Sequence, residues 1–260
     1  MTVTTSTNYL ITGANRGLGI ALVAAYLTRP HSTVIAAVRD PSSSSSKSLA
    51  TLPRSSTSRL IVVQIESTSP TDADDAIATL EHTHGITALD VVIANAGMAN
   101  AYPLVHEASP KPMLEHFTVN VVGVVVLFRA VRPLLLRAAA TTTNARTPKF
   151  ITMSSSAGSI GGQDRIPVPN AAYGPSKAAL NWITVKIHLE NKDLGLCSFA
   201  MHPGWVQTEM GNAGARAFGL EKAQITLEES IPGMVDVIDN ATMDATAGKF
   251  MVYDGTEWPW

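Results

Sequence analysis

Short apolar runs recur along the chain, and nearly every position within each run is apolar, with no alternation between apolar and polar residues. Runs of this kind are typical of strands that are buried on both faces, as in a parallel sheet. Seven runs share the pattern: Tyr9–Thr12, Thr33–Ala37, Leu60–Ile65, Asp90–Ala94, Phe150–Met153, Leu196–Met201 and Phe250–Tyr253. The sequence therefore predicts about seven parallel strands.

Helix-like segments separate most of these runs. They are Leu18–Thr28, Thr71–His84, Pro110–Ala140 and Ala171–Asn191. Strands that alternate with helices predict an α/β fold with a Rossmann-like, doubly wound parallel sheet. Because no repeat or change of composition divides the chain, residues 1–260 are expected to form a single domain.

Three segments follow neither pattern. Pro41–Ser48 is polar and of low complexity, so it is expected to be a mobile loop, and Thr141–Pro148 is expected to be a connector. Glu209–Gln224 is rich in glycine and alanine and has no strand signal. The spacing of Thr226 and Glu229 then predicts a capping box at the start of another helix.

Composition narrows the class of protein. Hydrophobic residues make up 45% of the chain and charged residues 15%, which is typical of a globular protein with a large core. The formal net charge is -2, so no electrostatic feature favours a nucleic acid or an anionic membrane as partner.

Other features argue against an oxidising compartment, a membrane span and a metal site. Cys197 is the only cysteine, so no intrachain disulfide is possible. The N-terminal residues do not resemble a signal peptide, and the apolar run Val119–Phe128 is far shorter than the roughly 20 residues of a membrane helix. His82 and His84 lack metal-binding spacing. We therefore expect a cytoplasmic protein without a metal.

A glycine-rich turn with the sequence TGANRGLG follows the first strand and leads into the first helix. Glycine lets the backbone approach a pyrophosphate, and the helix N-terminus offers free N–H groups. The candidate dinucleotide-binding residues here are Gly13, Asn15, Arg16, Gly17, Leu18 and Gly19. The alternative is a tight turn that only allows close helix packing.

The second strand bears on the choice between NAD and NADP. An NAD site normally has an acid about 20 residues after the glycines, but apolar residues and then Arg39 stand in this region. Arg16 and Arg39 together suit a 2′-phosphate and favour NADP. Asp40 leaves an alternative open, because it could act as the acid or pair with Arg39. Each arginine alone could be a solvated surface charge.

Tyr173 and Lys177 lie four residues apart at the start of a predicted helix, so their side chains point the same way. A free tyrosine has a pKa of about 10, and a nearby ammonium or an oxidised nicotinamide favours its phenolate. The pair therefore predicts an acid/base tyrosine tuned by a lysine. The alternative is an exposed pair of surface residues.

Two further polar sites stand near the ends of elements. Ser154, Ser155 and Ser156 close the fifth strand, where ligands of open parallel sheets bind, so a serine there can hold a carbonyl oxygen. Asn120 is a lone amide in an apolar helix and needs a partner. It could anchor a water that leads protons toward Lys177, or it could mark a helix irregularity.

The sequence resembles the short-chain dehydrogenase/reductase family over nearly its whole length. Its motifs are the TGANRGLG turn, Asn95-Ala96-Gly97, Asn120, the SSSAG serines, Tyr173-x-x-x-Lys177 and Pro203-Gly204. The resemblance implies a catalytic tetrad of Asn120, Ser155, Tyr173 and Lys177. Ser155 is chosen because it lies three residues before Gly158, and Ser154 and Ser156 remain alternatives.

The resemblance also implies further cofactor contacts. They are Glu66, Ser67, Asn95, Ala96, Gly97, Pro203, Gly204, Val206 and Thr208, with Tyr173 and Lys177 at the nicotinamide end. Thr208 would hydrogen-bond the carboxamide. Two departures stand out: Glu66 replaces the usual aspartate, which leaves its contact with adenine open, and the insert Gly161–Pro169 is expected to enter the substrate cleft.

The implied function is NADPH-dependent reduction of a ketone or aldehyde to an alcohol. His202–Thr208 and Asp254–Trp260 resemble fungal and bacterial carbonyl reductases, including ketoreductases of aromatic polyketides, which suggests secondary metabolism. The alternatives are an NAD-dependent alcohol dehydrogenase of the same family and a non-catalytic NADP(H)-binding sensor. The family's helices around Asn120 and Tyr173 imply a homodimer or homotetramer.

A lid is predicted over the substrate. Glu209–Gln224 follows the sixth strand closely, and its glycines lower the cost of rearrangement. Closure would exclude water from hydride transfer. The alternative is an ordinary ordered helix that packs on the sheet.

Overall fold

The computed structural model describes residues 6–140 and 147–260. The predicted connector Thr141–Pro148 lies outside these ranges except for its last two residues. Seven strands form one sheet: β1 Thr7–Thr12, β2 Ser32–Val38, β3 Arg59–Gln64, β4 Val91–Ala94, β5 Lys149–Met153, β6 Cys197–His202 and β7 Phe250–Val252. All neighbours are parallel, in the order β3-β2-β1-β4-β5-β6-β7, which confirms the predicted sheet.

Eight α-helices connect the strands. They are α1 Gly17–Leu27, α2 Ser44–Lys47, α3 Asp72–His84, α4 Pro110–Phe117, α5 Gly123–Ala140, α6 Tyr173–Asn191, α7 Glu209–Ala217 and α8 Leu227–Asn240. Two apolar clusters cover the two faces of the sheet. Ile11 and Ile151 belong to one cluster and their chain neighbours Leu10 and Phe150 to the other, because successive strand residues point to opposite faces.

The strand order places the functional edge. β1 pairs with β2 on one side and with β4 on the other, so the chain reverses direction across the sheet at this point. The register Ala94↔Thr152 and Met153↔Met201 then aligns the carboxyl ends of β4, β5 and β6. Ligands of open α/β sheets bind in the crevice beside such a reversal.

The predicted loop Pro41–Ser48 is wrong in one respect, because it contains the helical turn α2. The Ser43 side chain caps this turn, and the Ser46 hydroxyl donates a hydrogen bond to the Asp40 carbonyl, 2.7 Å away. Serine hydroxyls that bond the backbone can stabilise a cap as readily as a loop. The polar, repetitive sequence of this segment therefore did not reveal the helical turn α2.

The predicted helix Pro110–Ala140 is interrupted. The π-helical turn Thr118–Val122 separates α4 from α5. By length and composition this stretch is apolar enough to cross a membrane, and 39% of its most apolar window is buried. Leu127 and Leu134 bury one face of α5 in the sheet's apolar cluster, as in the core helix of a globular domain.

The capping box predicted at Thr226 is confirmed. The Thr226 hydroxyl accepts the Glu229 N–H at 3.2 Å, and the Glu229 carboxylate accepts the Thr226 N–H at 2.6 Å. The preceding segment Glu209–Gln224 begins with helix α7, so its first nine residues are regular.

Candidate active site

The glycine-rich turn is tight because its glycines are sterically required. Gly13 and Gly17 have φ of +61° and +52°, which favour glycine. A Cβ on Gly19 would lie 2.1 Å from the Gly13 carbonyl oxygen. Arg16 precedes α1 and supplies no side-chain cap, so the first N–H groups of the helix remain available to an anion. The turn fits the diphosphate of a dinucleotide.

The segment after β4 is tied to the glycine turn. The Asn95 amide donates to the Thr12 carbonyl at 2.8 Å, and the Ala96 N–H donates to the Thr12 hydroxyl at 2.9 Å. A Cβ on Gly13 would lie 3.0 Å from the Ala96 Cα. The two strand ends therefore form one continuous wall at the switch point of the sheet.

Asn15 and Leu18 of the turn face different surroundings. The Asn15 amide donates to the Ser45 and Ser46 hydroxyls at 2.9 and 3.1 Å, which links the turn to α2. Leu18 packs against the apolar cluster beneath α1.

Tyr173 and Lys177 occupy the first two turns of α6, as predicted. The Lys177 ammonium nitrogen lies 5.8 Å from the centroid of the Tyr173 ring and donates to the Met153 carbonyl at 2.7 Å. Lys177 is only 5% exposed, and burial lowers its pKa to about 8. The ammonium is therefore held at the end of β5, beside the tyrosine.

The predicted lowering of the Tyr173 pKa by Lys177 is not what the folded chain shows. Burial raises the pKa of Tyr173 to about 12, the hydrogen bond with the Ser155 side chain opposes this rise, and Tyr102 adds to it. Burial is the largest cause because a phenolate loses its hydration in the protein interior. The phenol thus stays protonated at neutral pH, as a proton donor must.

The three serines after β5 have different environments. Ser154 is buried and donates to the Asn181 carbonyl oxygen in α6. Ser155 caps the 3₁₀ turn that begins at Ser156, and its side chain is the serine that lowers the Tyr173 pKa against the effect of burial. The environment of the phenol therefore favours Ser155 over its two neighbours as its partner.

Asn120 lies in the π-helical turn and is completely buried. Its carbonyl oxygen accepts the Met98 N–H at 2.9 Å, while its amide donates to the Met98 carbonyl at 3.0 Å and to the Ser176 hydroxyl at 2.9 Å. A Cβ on Gly97 would lie 3.1 Å from the Asn120 oxygen. Asn120 thus joins the segment after β4 to α6, and its part in a proton path stays a prediction.

The two candidate phosphate-binding arginines are each paired with a different carboxylate. The Arg39 guanidinium lies 3.6 Å from Glu66, and its side chain is 79% exposed. The Arg16 guanidinium lies 2.7 Å from Glu209 and is 66% exposed. Exposed ion pairs contribute little, so both guanidinium groups can turn toward a stronger anion.

Arg39 pairs with Glu66 and not with Asp40, and a contact between Asp40 and a ribose stays a prediction. The Asp40 carboxylate accepts the Ser42 N–H at 2.8 Å and the Ser42 hydroxyl at 2.6 Å. These hydrogen bonds, with the Ser42 hydroxyl as the largest cause, lower the Asp40 pKa. The acid that could grip a ribose is therefore engaged in its own turn.

Glu66 and Ser67 lie where β3 ends. The Glu66 N–H donates to the Asp72 carboxylate at 3.0 Å, which fixes the strand end against α3. A Cβ on Gly123 would lie 2.6 Å from the Ser67 carbonyl oxygen. The pair therefore borders the start of α5, and the contact with adenine stays a prediction.

The segment after β6 returns to the same edge. The Pro203 carbonyl accepts the Ser230 hydroxyl at 2.6 Å, and Val206 forms a bridge with Ile225. Gly204 has φ of +81°, and a Cβ there would lie 2.4 Å from Ile225. This turn therefore requires glycine.

Thr208 connects the turn after β6 to the glycine turn. Its hydroxyl accepts the Gly211 N–H at 3.0 Å and caps α7. A Cβ on Gly17 would lie 3.4 Å from the Thr208 methyl group. Helix α7 thus starts beside the glycine turn, and its action as a lid stays a prediction.

Sequence reasoning missed an aromatic cluster beside Tyr173. The ring centroid of Tyr102 lies 6.5 Å from Tyr173 and 5.1 Å from Phe218, and Trp205 lies 6.2 Å from Phe218. The buried His116 ring lies 6.2 Å from Tyr173. Tyr102, Trp205 and Phe218 come from segments without regular periodicity, so their aromatic residue type was the only available signal.

The insert Gly161–Pro169 packs against the last residues of the chain. The Gly161 N–H donates to the Trp260 carbonyl at 2.7 Å, and the Arg165 guanidinium lies 5.6 Å from the Trp258 ring centroid. Its entry into the substrate cleft stays a prediction. Across residues 6–140 and 147–260, no group of three or more His, Cys, Asp or Glu side chains could hold a metal ion.

Comparison with known proteins identifies the family. A family model described as short chain dehydrogenase matches residues 7–217. Norsolorinic acid ketoreductase nor1 of Dothistroma septosporum is 41% identical over 98% of this chain and 92% of the relative. The norsolorinic acid ketoreductase of Aspergillus parasiticus is 39% identical over 98% of this chain and 91% of the relative.

Solved structures agree. The NADPH-bound carbonyl reductase from chicken fatty liver superposes with a TM-score of 0.84 at 30% identity, over 98% of this chain and 100% of that one. The carbonyl reductase Sniffer of D. melanogaster superposes with a TM-score of 0.85 at 28% identity, again over 98% of this chain and 100% of that one. With its parallel sheet, its glycine turn and the Tyr173–Lys177 pair at one edge, this chain belongs to the short-chain dehydrogenase/reductase family and is an oxidoreductase.

Proposed function

We propose that the protein reduces a ketone to an alcohol with NADPH. The observation that carries this proposal is the grouping of Ser155, Tyr173 and Lys177 at the sheet edge next to the glycine turn. The Lys177 ammonium is held 5.8 Å from the Tyr173 ring centroid, and the Ser155 side chain lowers the Tyr173 pKa. A bound nicotinamide cofactor would lie along this edge and supply the hydride.

The side chains of the chain would do the remaining work. The hydroxyl groups of Ser155 and Tyr173 hold the carbonyl oxygen, and Tyr173 gives its phenolic proton to the oxygen as negative charge develops there. When Tyr173 loses its phenolic proton, the Lys177 ammonium keeps a positive charge close to the phenolate. Asn120 fixes the position of α6 by bonding Ser176.

Several observations support NADPH over NADH. Arg16 and Arg39 carry exposed guanidinium groups whose present partners are weak, while Asp40 is occupied by Ser42. Guanidinium binds phosphate in a bidentate geometry that a ribose hydroxyl cannot match. The carbonyl reductase from chicken fatty liver, a similar structure, was determined with NADPH bound.

The substrate class that fits best is a ketone attached to an aromatic ring. The Tyr102 ring lies beside Tyr173 and continues through Phe218 to Trp205 as a row of aromatic rings. Aromatic rings favour edge or stacked contacts with one another. Two relatives that match nearly the whole chain are named norsolorinic acid ketoreductases. This agrees with a role in secondary metabolism.

A turnover assay tests the proposal. The purified protein is given aromatic ketones, aliphatic ketones of matched size and aldehydes, with either NADPH or NADH. We expect the fastest oxidation of NADPH with aromatic ketones. Tight NADPH binding with no turnover on any carbonyl would instead indicate a sensor, and faster alcohol oxidation with NAD would indicate the dehydrogenase alternative.

We also propose a homo-oligomer, because apolar side chains are exposed on the helices around the site. They are Val122 and Val125 near Asn120, and Trp182 and Leu189 on α6. Apolar patches of this kind often mark subunit interfaces. Light scattering should show a dimer or tetramer that Trp182→Glu dissociates, while the control Leu194→Glu, outside these helices, has no effect. A monomeric wild type would contradict this proposal.

A further inference from the structure

The turn that carries Ser155 is held from two sides by side chains that have no part in the reaction scheme above. We call residues Ser154–Gly158 the serine turn. It links β5 to the region that precedes α6, and it includes a short 3₁₀ segment. A Cβ on Gly158 would lie 2.6 Å from the Lys177 backbone, so the turn packs closely on α6.

Asn181 holds both ends of the serine turn. Its carbonyl oxygen accepts the Ser154 hydroxyl, and its amide donates to the Gly158 carbonyl at 3.2 Å. Asn181 is only 4% exposed and lies one turn after Lys177 and two turns after Tyr173 on α6. One helix face therefore carries the phenol, the ammonium and the group that fixes the serine turn.

His202 holds the middle of the serine turn from the end of β6. Its Nδ1 accepts the Ser156 N–H at 3.3 Å. Burial lowers the His202 pKa to about 4, with Asp254 opposing the shift, so the imidazole is neutral at neutral pH. A neutral ring that accepts at Nδ1 carries its proton on Nε2.

We propose that Asn181 and His202 are positioning residues that hold the serine turn so that the Ser155 hydroxyl stays beside the Tyr173 phenol. Within its own turn, the Ser155 hydroxyl accepts the Ala157 N–H at 3.2 Å and the Ser155 carbonyl accepts the Gly158 N–H at 2.8 Å. The position of Ser155 therefore depends on how the serine turn itself is held. A displacement of about 1 Å at a reacting group can cost roughly a hundredfold in rate. The inference rests on the role proposed for Ser155.

Substitutions separate positioning from simple destabilisation. Asn181→Leu removes both hydrogen bonds at similar volume, and His202→Phe removes the acceptor for Ser156. We expect each to lower kcat by about tenfold or more with an unchanged Kd for NADPH. His202→Asn restores an acceptor close to the Nδ1 position and should return kcat to within about threefold of wild type.

Thr184→Val is the matched control. The Thr184 hydroxyl bonds the Thr152 hydroxyl at 2.7 Å, so it joins the same two elements, α6 and β5, away from the serine turn. It should lower the melting temperature without lowering kcat. If Asn181→Leu fails to fold, Ser154→Ala removes one of the two bonds and takes its place, with a smaller loss of kcat.

A double-mutant cycle with Ser155→Ala decides the matter. If Asn181 and His202 act through Ser155, their substitutions should change kcat by less than about twofold once Ser155 is alanine. Equal losses in both backgrounds, or wild-type kcat in folded Asn181→Leu and His202→Phe, would overturn this inference alone. Wild-type kcat in Ser155→Ala would instead overturn the proposed role of Ser155.

Discussion

The two ends of the proposed cofactor site are built in different ways. At the reacting end, Lys177 and Asn120 are buried and their polar atoms are bonded to backbone and side-chain groups. At the adenosine end, Arg16 and Arg39 are largely exposed and meet Glu209 and Glu66 in ion pairs open to water.

The difference indicates how each end can be tuned. In a buried setting, electrostatic interactions are strong and each group has one position, so a substitution there should remove activity almost entirely. Exposed charges are screened by water and salt, so substitutions there should produce graded changes in cofactor preference. We therefore expect the reacting end to tolerate substitutions less well than the adenosine end.

The largest effect is expected for Tyr173→Phe. The ring remains, but the proton donor is lost, so kcat should fall by about 10²–10⁴-fold, the usual scale for a general acid. NADPH binding, measured by fluorescence titration, should stay within the wild-type range. Turnover like that of wild type would show that the buried end does not work through this phenol.

Lys177→Met should change how stability depends on pH. The lysine loses its proton near pH 8 in the folded chain and at about 10.5 when unfolded, so between these values the unfolded state holds one more proton. Raising pH through this window therefore stabilises the wild type. Relative to Lys177→Met, the wild type should gain about 2 kcal/mol in unfolding free energy between pH 8 and 10.

Urea unfolding of both proteins at several pH values measures this gain. Subtracting the unfolding free energy of Lys177→Met from that of the wild type at each pH removes the contribution of groups that titrate equally in both proteins. A difference that stays constant with pH would mean that the ammonium is solvated in the folded protein.

Arg39→Ala tests the exposed end. A charge-assisted contact with the 2′-phosphate would be lost while NADH keeps its contacts, so the preference for NADPH should fall by about tenfold, the low end for such a bond because the site is exposed. The measurement is the ratio of the two Kd values. Lys47→Ala is a control, since Lys47 is an exposed cation in the neighbouring α2.

If the ratio of the Kd values for NADH and NADPH is unchanged in Arg39→Ala, Arg16 would remain as the source of the preference for NADPH. Loss of NADH and NADPH binding in equal measure would mean that Arg39 supports the fold of this end instead of reading the phosphate.

The smallest effect is expected in residues 209–224, a segment that begins with α7 and contacts both ends of the site. Glu209 meets Arg16, and Phe218 meets Tyr102 beside Tyr173. If residues 209–224 act as a lid, amide exchange there should slow by a few-fold with NADPH and a substrate analogue present. Helix α8, with its capping box, is the control. Equal and strong protection of residues 209–224 in both states would mean an ordered helix and no lid.

The sequence predicted the framework because the framework depends on local patterns. Apolar runs and helical periods give the strands and helices, and the glycines of the first turn are required by backbone conformation. The serine-rich α2 was not predicted, and the bond that it receives from the distant Asn15 is encoded by no local pattern. The π-helical turn confirms the helix irregularity considered as an alternative for Asn120, but its bonds to Met98 could not be predicted.

The sequence by itself determined the parallel sheet, the glycine turn and the spacing of Tyr173 and Lys177, because these follow from residues close together in the chain. Only the tertiary structure decided that burial sets the pKa of the Tyr173 phenol, and that Ser155 is the serine whose side chain opposes this rise. It alone decided that Asn181 and His202 flank the serine turn. Burial and hydrogen bonding between distant segments exist only once the strands have brought those segments together.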